Sequence, residues 1–310
     1  MYTGDIEKIS LPKFVEYLPE LELSNLTTYQ IGGKSLGVFL VKNHESYVKL
    51  LFNLSSKFPY RILGKGSNLL IDDQNRLEFF VITGKYRNIK LFKSNDKITV
   101  FVTPFTELQF FIRFLISNGI SGYEDLAGIP ATVGGAVFNN AGIKNLEISK
   151  YLKKITFFNR KKKEIKTILS TQKFFSYRNS YFKEETLSGN FLDLVSFVFE
   201  FPLENLKNPE LLKERYLITW KNRASSQPLN EKSCGSVFKN PSYMPAWKII
   251  DNLGFRGYIK GGAKVSEKHT NFIINFNNAK FLDIFYILKK IKQLALEQKI
   301  YLEEEVEIWK

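Results

Sequence analysis

Cysteine and histidine are scarce in this chain of 310 residues, and their scarcity removes whole classes of mechanism. A single cysteine, Cys234, excludes an internal disulfide and a cysteine-held cluster, and it fits a reducing compartment. With only His44 and His269, a histidine-rich metal site is excluded as well. The HExxH, P-loop and GxSxG patterns are also missing from the sequence. We therefore expect no metal site.

Long apolar runs are missing too. The first twenty residues contain no uninterrupted apolar stretch of the kind a secretion signal has. No apolar run reaches the ~20 residues that a membrane-spanning helix needs. These observations predict a soluble, cytoplasmic protein without membrane insertion. An apolar content of 44% with 28 Phe supports well-packed cores, and a length of 310 residues predicts two or three domains.

The net charge of +14, from 45 Lys and Arg against 31 Asp and Glu, suggests anionic partners. The positive residues are spread along the chain, and the KKK run at 161–163 is typical of a solvated turn. A basic protein that binds nucleic acid would show a clustered basic stripe or an aromatic-basic motif. Neither pattern occurs, so nucleic acid is not an expected partner.

Periodicity along the chain predicts helices and strands in mixed order, which is an α+β fold. One helix is predicted at 106–119 with Thr106 as its cap, a second after Asn208-Pro209, and a third at 280–299. A domain junction is predicted in the polar stretch 203–210. Runs rich in β-branched and aromatic residues predict strands. They lie at 61–64, 79–83, 98–103, 191–201 and 270–276.

Four short stretches concentrate residue types that serve chemistry. The runs GIPATVGG (128–135) and LGKGSNLLI (63–71) are rich in glycine, which suits close approach of the backbone to a phosphate-bearing cofactor. Taken alone, the run LGKGSNLLI is better explained as a hairpin-like turn. The runs SCGSVFKNP (233–241) and YRNSYFK (177–183) combine hydroxyl, amide and cationic groups. Together these stretches indicate a cofactor enzyme that acts on an anionic substrate.

The last eleven residues, 300–310, show the alternation of a strand. Apolar residues fall on one face, and the glutamates at 303, 305 and 307 fall on the other. Glu304 breaks the pattern, because it lies on the apolar face. The sequence alone therefore leaves open which of Glu303, Glu304 and Glu305 faces a site. The apolar residues are Ile300, Leu302, Val306 and Ile308.

Seven segments in order along the chain resemble the UDP-N-acetylenolpyruvoylglucosamine reductase (MurB) family. They are TTYQIGG (27–33), LGKGSNLL (63–70), LAGIPATVGGAVFNNAG (126–142), YRNSYFK (177–183), CGSVFKNP (234–241), GGAKVSEKHTNFIIN (261–275) and LEEEV (302–306). The resemblance implies an FAD-binding fold of the PCMH/vanillyl-alcohol-oxidase type in two subdomains, with a separate α+β substrate-binding domain. The expected subdomains are 1–84, completed by a strand in 298–310, and 85–205. The expected substrate-binding domain is 206–297.

The resemblance also implies an activity in peptidoglycan precursor synthesis. It is the NADPH-dependent, FAD-mediated reduction of UDP-N-acetylglucosamine enolpyruvate to UDP-N-acetylmuramate, with NADPH and the sugar nucleotide using one pocket in turn. FAD, NADPH and the sugar nucleotide are all anionic, so the positive net charge can favour their binding, and no nucleic-acid partner is needed to explain it. A monomer is expected. The alternative is another FAD-dependent oxidoreductase of the same fold that acts on a different substrate.

Three residues match the family's catalytic positions. The resemblance implies that Ser236 is the proton donor and that Arg178 pairs with the substrate carboxylate, a bidentate task suited to a guanidinium. Glu305 matches the acidic residue of the family's LxPEV ending, where this chain has Glu304 in place of proline. It is expected to assist Ser236 or to orient the enolic carboxyl.

The binding residues implied by the resemblance fall into two sets. The cofactor set is Gly64, Lys65, Gly66, Ser67, Asn68, Leu69, Gly128, Ile129, Pro130, Thr132, Val133, Gly134 and Gly135. The substrate set is Tyr177, Arg223, Lys239, Asn240, Lys264 and His269. For His269 a structural role is equally open. The wording of GSVFKNP matches the family subtype that lacks an added loop with a substrate-contacting tyrosine, and Arg223, Lys239 and Lys264 are candidates to replace that tyrosine.

Overall fold

The structure is a computed structural model that describes residues 11–54, 58–143 and 146–310. These residues form two compact units, and each is built from separate stretches of chain. The first unit contains the described chain up to Pro19, Leu36–Lys65 and Phe79–Trp220. The second contains Glu20–Ser35, Gly66–Glu78 and Lys221–Lys310.

Strands and helices alternate irregularly along the chain. The helices are α1 His44–Leu54, α2 Leu108–Ser117, α3 Val133–Phe138, α4 Tyr181–Leu187, α5 Pro209–Ser226, α6 Ala246–Asn252 and α7 Phe281–Glu297. The strands are β1 Val15–Leu18, β2 Val38–Val41, β3 Tyr60–Ile62, β4 Leu69–Ile71, β5 Phe80–Gly84, β6 Ile89–Lys93, β7 Lys97–Val102, β8 Gly142–Ile143, β9 Leu146–Glu147, β10 Leu152–Asn159, β11 Glu164–Leu169, β12 Phe175–Ser176, β13 Asn179–Ser180, β14 Leu192–Pro202, β15 Ile259–Lys260, β16 Ala263–Val265, β17 Ile273–Asn275 and β18 Glu307–Trp309.

The first unit contains two larger sheets. One has the strand order β1-β2-β5-β3, in which β5 is parallel to both β2 and β3. The other is antiparallel throughout, with the order β11-β10-β14-β7-β6. Every second residue of β7 is buried, and these buried side chains face the core that α2 and α3 cover. Those residues are Ile98, Val100 and Val102.

A buried ion pair connects these two sheets. Arg160, just after β10, donates from Nη2 and Nε to the two carboxylate oxygens of Asp193 on β14, at 2.6 and 2.8 Å. Tyr60 of β3 donates its hydroxyl to the same carboxylate at 2.6 Å, and its carbonyl accepts from Arg160 Nη1 at 2.7 Å. The Arg160 guanidinium lies 3.6 Å from the centre of the Tyr60 ring. Each charge is therefore paired and hydrogen-bonded, as burial requires.

The second unit joins distant parts of the chain. Its antiparallel sheet has the order β15-β16-β17, and α6 and α7 contribute apolar side chains to the same core. Beside this sheet, β18 pairs in parallel with β4, so that Glu307 lies opposite Leu69 and Trp309 opposite Ile71. This pairing therefore joins β18, near the end of the chain, to β4, in its first quarter.

The predicted elements are confirmed with one correction. The helices after Asn208 and at 280–299 are present, and so are the five predicted strands, although β17 is shorter than its run. The helix predicted at 106–119 is α2, but Thr106 does not cap it. Its hydroxyl lies 3.2 Å from that of Thr103, and the N-cap residue is Glu107. The two units change over within α5, at Trp220, whereas the predicted domain junction at 203–210 lies around the start of that helix.

Candidate active site

The loop that carries Ser236 is held by residues from three parts of the second unit. On one side, Thr28 donates its hydroxyl to the Ser233 carbonyl at 2.6 Å. On the other, the side-chain amide of Asn271 accepts from the Phe238 N–H at 3.0 Å and donates to the Phe238 carbonyl at 2.8 Å. Gly235 has φ +81°, and the space where its Cβ would point is open within 4 Å. Ser236 thus lies beside open space on a fixed backbone.

Glu305 belongs to the segment that closes the third side of this loop. Its N–H donates to the Val237 carbonyl at 2.9 Å, and its carbonyl accepts from Asn68 Nδ2 at 3.0 Å. Burial, with a further contribution from the charge of Glu305, raises the pKa of the Cys234 thiol to about 12. The Glu305 carboxylate is therefore close enough to act electrostatically on the stretch that precedes Ser236.

The neighbouring glutamates have other partners. Glu303 forms an ion pair with Lys239 at 2.7 Å, and Glu304 forms one with Lys292 at 2.8 Å. The predicted strand alternation is only partly present, because regular pairing begins at Glu307 and the stretch before it forms a single bridge between Glu304 and Phe238. Of the three candidate glutamates, Glu305 is the one whose charge acts on Cys234.

Arg178 lies in the first unit, at the tip of a hairpin formed by β12 and β13. Its φ is +56°, in the left-handed region that residues other than glycine rarely occupy. Its Nη2 donates to the Gly142 carbonyl at 2.7 Å, and its guanidinium lies 5.1 Å from the centre of the Tyr177 ring. Tyr177 itself is exposed. The hairpin therefore presents an oriented cation beside an exposed aromatic ring.

The segment LGKGSNLL contains backbone donors in both units. Within the described chain, the N–H groups of Gly64 and Lys65 in the first unit have no hydrogen-bond acceptor, and neither do those of Gly66, Ser67 and Asn68 in the second. Gly66 has φ +63°, and a Cβ there would lie 2.3 Å from the Leu26 carbonyl oxygen, so this position requires glycine. Lys65 is exposed and lies 3.8 Å from Glu107. Unpaired N–H groups beside a lysine form an arrangement that suits a phosphate.

The segment GIPATVGG is constructed differently. The Gly128 N–H donates to Gln109 Oε1, and Thr132 Oγ1 caps α3 by accepting from the Gly135 N–H at 3.1 Å. A Cβ on Gly134 would lie 2.8 Å from Pro104 Cβ. Because these N–H groups have partners within the protein, the segment can offer a ligand mainly close-packed surface. Ile129 and Pro130 lie on its accessible side, whereas Val133 is buried.

These two predicted cofactor segments meet within the first unit. A Cβ on Gly64 would lie 2.6 Å from Thr132 Oγ1, so the chain can approach this closely only with glycine at position 64. The remaining members of the predicted set belong to the second unit, and they are Gly66, Ser67, Asn68 and Leu69. In that unit Leu69 is buried in β4. The residues around Gly64 therefore fit a ligand that needs both donors and flat surface.

The predicted substrate-binding residues in the second unit have defined neighbours. Lys239 forms the pair with Glu303 already described, and Lys264 forms an ion pair with Glu267 at 2.5 Å. Asn240 Oδ1 accepts from the N–H of Ala246, the first residue of α6, at 2.9 Å. Asn240 thus has a structural bond in addition to any contact with a ligand.

His269 and Arg223 lie close together in the second unit. The His269 ring packs on Phe272, with centres 4.9 Å apart, and on Trp247 at 6.3 Å. Burial lowers the pKa of His269, and the positive charge of Arg223 lowers it further. The His269 ring therefore has an aromatic setting that fits a structural role, and its predicted substrate contact stays a prediction.

Sequence reasoning missed the residues that hold the Ser236 loop. Asn271 is 2% exposed within the apolar run TNFIIN, and a buried amide in such a run is a signal that a backbone elsewhere needs partners. Thr28 is only half-buried, so there was less reason in the sequence to expect its bond to the Ser233 carbonyl. In the described residues, no group of three His, Cys, Asp or Glu side chains is arranged to hold a metal ion. Over the same residues, every helix is too short or too polar to cross a membrane.

Known proteins match this chain over nearly its whole length. Residues 227–309 match the family described as UDP-N-acetylenolpyruvoylglucosamine reductase, C-terminal domain. The UDP-N-acetylenolpyruvoylglucosamine reductase of Carboxydothermus hydrogenoformans is 36% identical over 290 residues, which cover 92% of this chain and 91% of that protein. This chain belongs to the UDP-N-acetylenolpyruvoylglucosamine reductase family. The reductase of Prochlorococcus marinus strain NATL2A is 34% identical over 92% of this chain and 95% of its own length.

Membership of the reductase family extends to the fold. The crystal structure of the MurB reductase from Thermus caldophilus superimposes with a TM-score of 0.75 at 27% identity, and it covers 96% of this chain and 99% of that one. The predicted α+β class is confirmed. The FAD-binding fold expected from the resemblance is also confirmed, because the chain superimposes on a reductase of this family. The family to which the seven segments pointed is confirmed as well.

Proposed function

We propose that this chain is an oxidoreductase that reduces UDP-N-acetylglucosamine enolpyruvate to UDP-N-acetylmuramate with NADPH, through bound FAD. The observation that carries the proposal is the match to named reductases over 92% of the chain. The product is a peptidoglycan precursor, which makes the chain part of cell-wall synthesis. We further propose that it acts in the cytoplasm as a monomer.

FAD is proposed to bind to the two glycine-rich segments. In the first unit, the unpaired N–H groups of Gly64 and Lys65 suit the pyrophosphate, and the close-packed surface at 128–135 suits a flat ring. Once reduced by NADPH, the bound flavin would supply the hydride that reduces the enolpyruvyl methylene carbon. The proposed domain assignment remains 1–84 with 298–310 and 85–205 for the cofactor, and 206–297 for the substrate.

Ser236 is proposed to donate the proton that completes the reduction. Its hydroxyl would protonate the carbon next to the substrate carboxylate. A serine hydroxyl is a weak acid, so it needs fixed geometry and a supporting network. The bonds from Thr28 and Asn271 support the first, and Glu305, whose N–H donates to the Val237 carbonyl, would supply the second. Glu305 either supports the Ser236 hydroxyl or orients the enolic carboxyl.

Arg178 is proposed to bind the substrate carboxylate. Negative charge builds on that group as the reaction proceeds, and a preorganised guanidinium stabilises it more than water does. The bond to the Gly142 carbonyl fixes one Nη2 donor and so limits the orientations of the planar group. Contacts from Tyr177, Arg223, Lys239, Asn240, Lys264 and His269 to the sugar nucleotide complete the proposal.

A visible spectrum of the purified protein tests this function directly. Under anaerobic conditions NADPH is added first, and UDP-N-acetylglucosamine enolpyruvate second. Bleaching of a bound flavin by NADPH, followed by recovery on addition of the sugar nucleotide, is the expected result. A flavin that bleaches but does not recover would point to a different substrate on the same fold. A protein that binds no flavin even on reconstitution would refute the proposal altogether.

A further inference from the structure

The hairpin that carries Arg178 is held in a conformation its own sequence does not favour. It turns through Tyr177 and Arg178, and the positive φ of Arg178 lies where arginine has no local preference. Outliers of this kind persist when the surroundings fix them. The residues that fix this hairpin therefore control where the guanidinium lies.

Three hydrogen bonds tie the hairpin to the stretch 138–142. Ser180 donates its hydroxyl to the Phe138 carbonyl at 2.6 Å, and Arg178 donates to the Gly142 carbonyl at 2.7 Å. Between these two acceptors, Asn140 donates from Nδ2 to the Ser176 carbonyl at 2.9 Å. This third bond holds Ser176, the residue just before the turn. It is the only one of the three in which the stretch 138–142 contributes a side chain.

Asn140 occupies an unfavourable environment to make this bond. It is fully buried, its φ is +45°, and its Oδ1 atom has no hydrogen-bond partner in the described structure. A buried acceptor without a partner is rare and costly. The Nδ2 atom is used twice, because it also donates to Glu147 Oε2 at 2.8 Å. Glu147 therefore fixes the rotation of the amide that reaches Ser176.

We propose that Asn140, oriented by Glu147, is a positioning residue for Arg178. The inference rests on the proposed function, in which Arg178 binds the carboxylate of the enolpyruvyl substrate. Asn140 does not touch that substrate. It keeps the turn closed so that the guanidinium is in place when the carboxylate arrives, an arrangement in which small displacements carry large rate penalties.

The test separates the two halves of the catalytic cycle in the FAD-loaded enzyme. We expect Asn140→Ala to slow reoxidation of the reduced flavin by UDP-N-acetylglucosamine enolpyruvate about tenfold at saturating substrate. Reduction of the flavin by NADPH should stay within about twofold of wild type, because NADPH has no carboxylate for Arg178 to bind. Equal slowing of both half-reactions would overturn the proposal, since it would indicate general damage.

Asn205 supplies a matched control in the same unit. Its Nδ2 also makes two hydrogen bonds, to the Ser121 carbonyl at 2.7 Å and to the Tyr151 hydroxyl at 3.2 Å, and neither touches the hairpin. Asn205→Ala should also lower the melting temperature, though by less because Asn205 is only half-buried, and it should leave reoxidation unchanged. If it slowed reoxidation equally, the effect of Asn140 would not be specific.

A double-mutant cycle shows whether Asn140 acts through Arg178. In an Arg178→Ala background, adding Asn140→Ala should slow reoxidation no further, because the group being positioned is gone. Multiplication of the two separate effects would refute the positioning role. A wild-type flavin that the sugar nucleotide fails to reoxidise would instead refute the proposed function, so the two failures are distinguishable.

Glu147 provides a second route if Asn140→Ala folds poorly. Glu147→Gln keeps an oxygen that can accept from Asn140, and it should reoxidise at close to the wild-type rate. Glu147→Ala removes the acceptor, and it should show the slowed reoxidation together with unchanged flavin reduction by NADPH. Identical behaviour of the two Glu147 variants would contradict the proposal.

Discussion

Replacing Asp193 with alanine should destabilise the first unit severely, because it leaves a buried cation without its partner. Asp193→Ala removes two charge-assisted bonds from Arg160, at 2.6 and 2.8 Å, and the bond from the Tyr60 hydroxyl. The Arg160 side chain is only 12% exposed, so water cannot replace the carboxylate. Breaking a buried pair in this way costs about 3–5 kcal/mol. For a unit of this size, that lowers the melting temperature by roughly 10 °C.

An exposed pair with similar geometry provides the control. Arg215 donates to both carboxylate oxygens of Asp125, at 2.7 and 3.1 Å, but the two side chains are 56% and 40% exposed. Solvent screens this pair, so Asp125→Ala should cost no more than about 1 kcal/mol. Urea unfolding of both variants alongside wild type measures the two free energies.

A third variant examines the cause of the loss. Replacing both partners, as Arg160→Met with Asp193→Leu, removes the unpaired charge and should recover most of the stability lost in Asp193→Ala. Equal midpoints for Asp193→Ala and Asp125→Ala would refute the argument from burial. A double variant as unstable as Asp193→Ala would show that the loss comes from packing and not from the unpaired charge.

Three further predictions concern single groups. Ser236→Ala should slow flavin reoxidation by the sugar nucleotide about 10²–10⁴-fold in single-turnover assays, while Ser233→Ala, whose carbonyl alone is bonded to Thr28, should not. Cys234→Ala should stay active, and the wild-type thiol, whose pKa is raised to about 12 chiefly by burial, should resist iodoacetamide at pH 8 until urea is added; rapid native alkylation would contradict this. Burial lowers the pKa of His44, so the unfolded chain binds protons more readily below about pH 6.5 and the free energy of unfolding should fall from pH 7 to pH 5. That fall should be smaller in His44→Gln, and an equal fall in both proteins would exclude His44 as a source.

The sequence predicted the helices and strands that depend on residues close together along the chain. The apolar stripe of α7 and the proline that begins α5 are visible in any window of the chain, and both helices are present. The α2 cap was wrong because the Thr106 hydroxyl is engaged with Thr103, a contact that depends on how the preceding loop folds. The family was predictable because seven segments occur in order, although no single one is decisive.

Features that depend on distant partners could not be predicted from the sequence. No local signal marks Glu303 and Glu304 as ion-pair partners of Lys239 and Lys292, so the sequence could not separate the three glutamates by their contacts. The left-handed turn at Arg178 is likewise imposed from outside the hairpin. The hydrogen bond from Asn140 to the Ser176 carbonyl joins residues 36 positions apart, so it is seen only in the folded chain.

The pairing of β4 with β18 has a consequence for biosynthesis. The ribosome delivers Glu20–Ser35 and Gly66–Glu78 early, but their structural partners in Lys221–Lys310 emerge more than a hundred residues later. At roughly 5–20 residues per second, the early segments wait on the order of 10–50 s with Leu70 and Ile31 uncovered. The nascent second unit therefore exposes apolar side chains during synthesis, and it cannot fold until Lys221–Lys310 has been made.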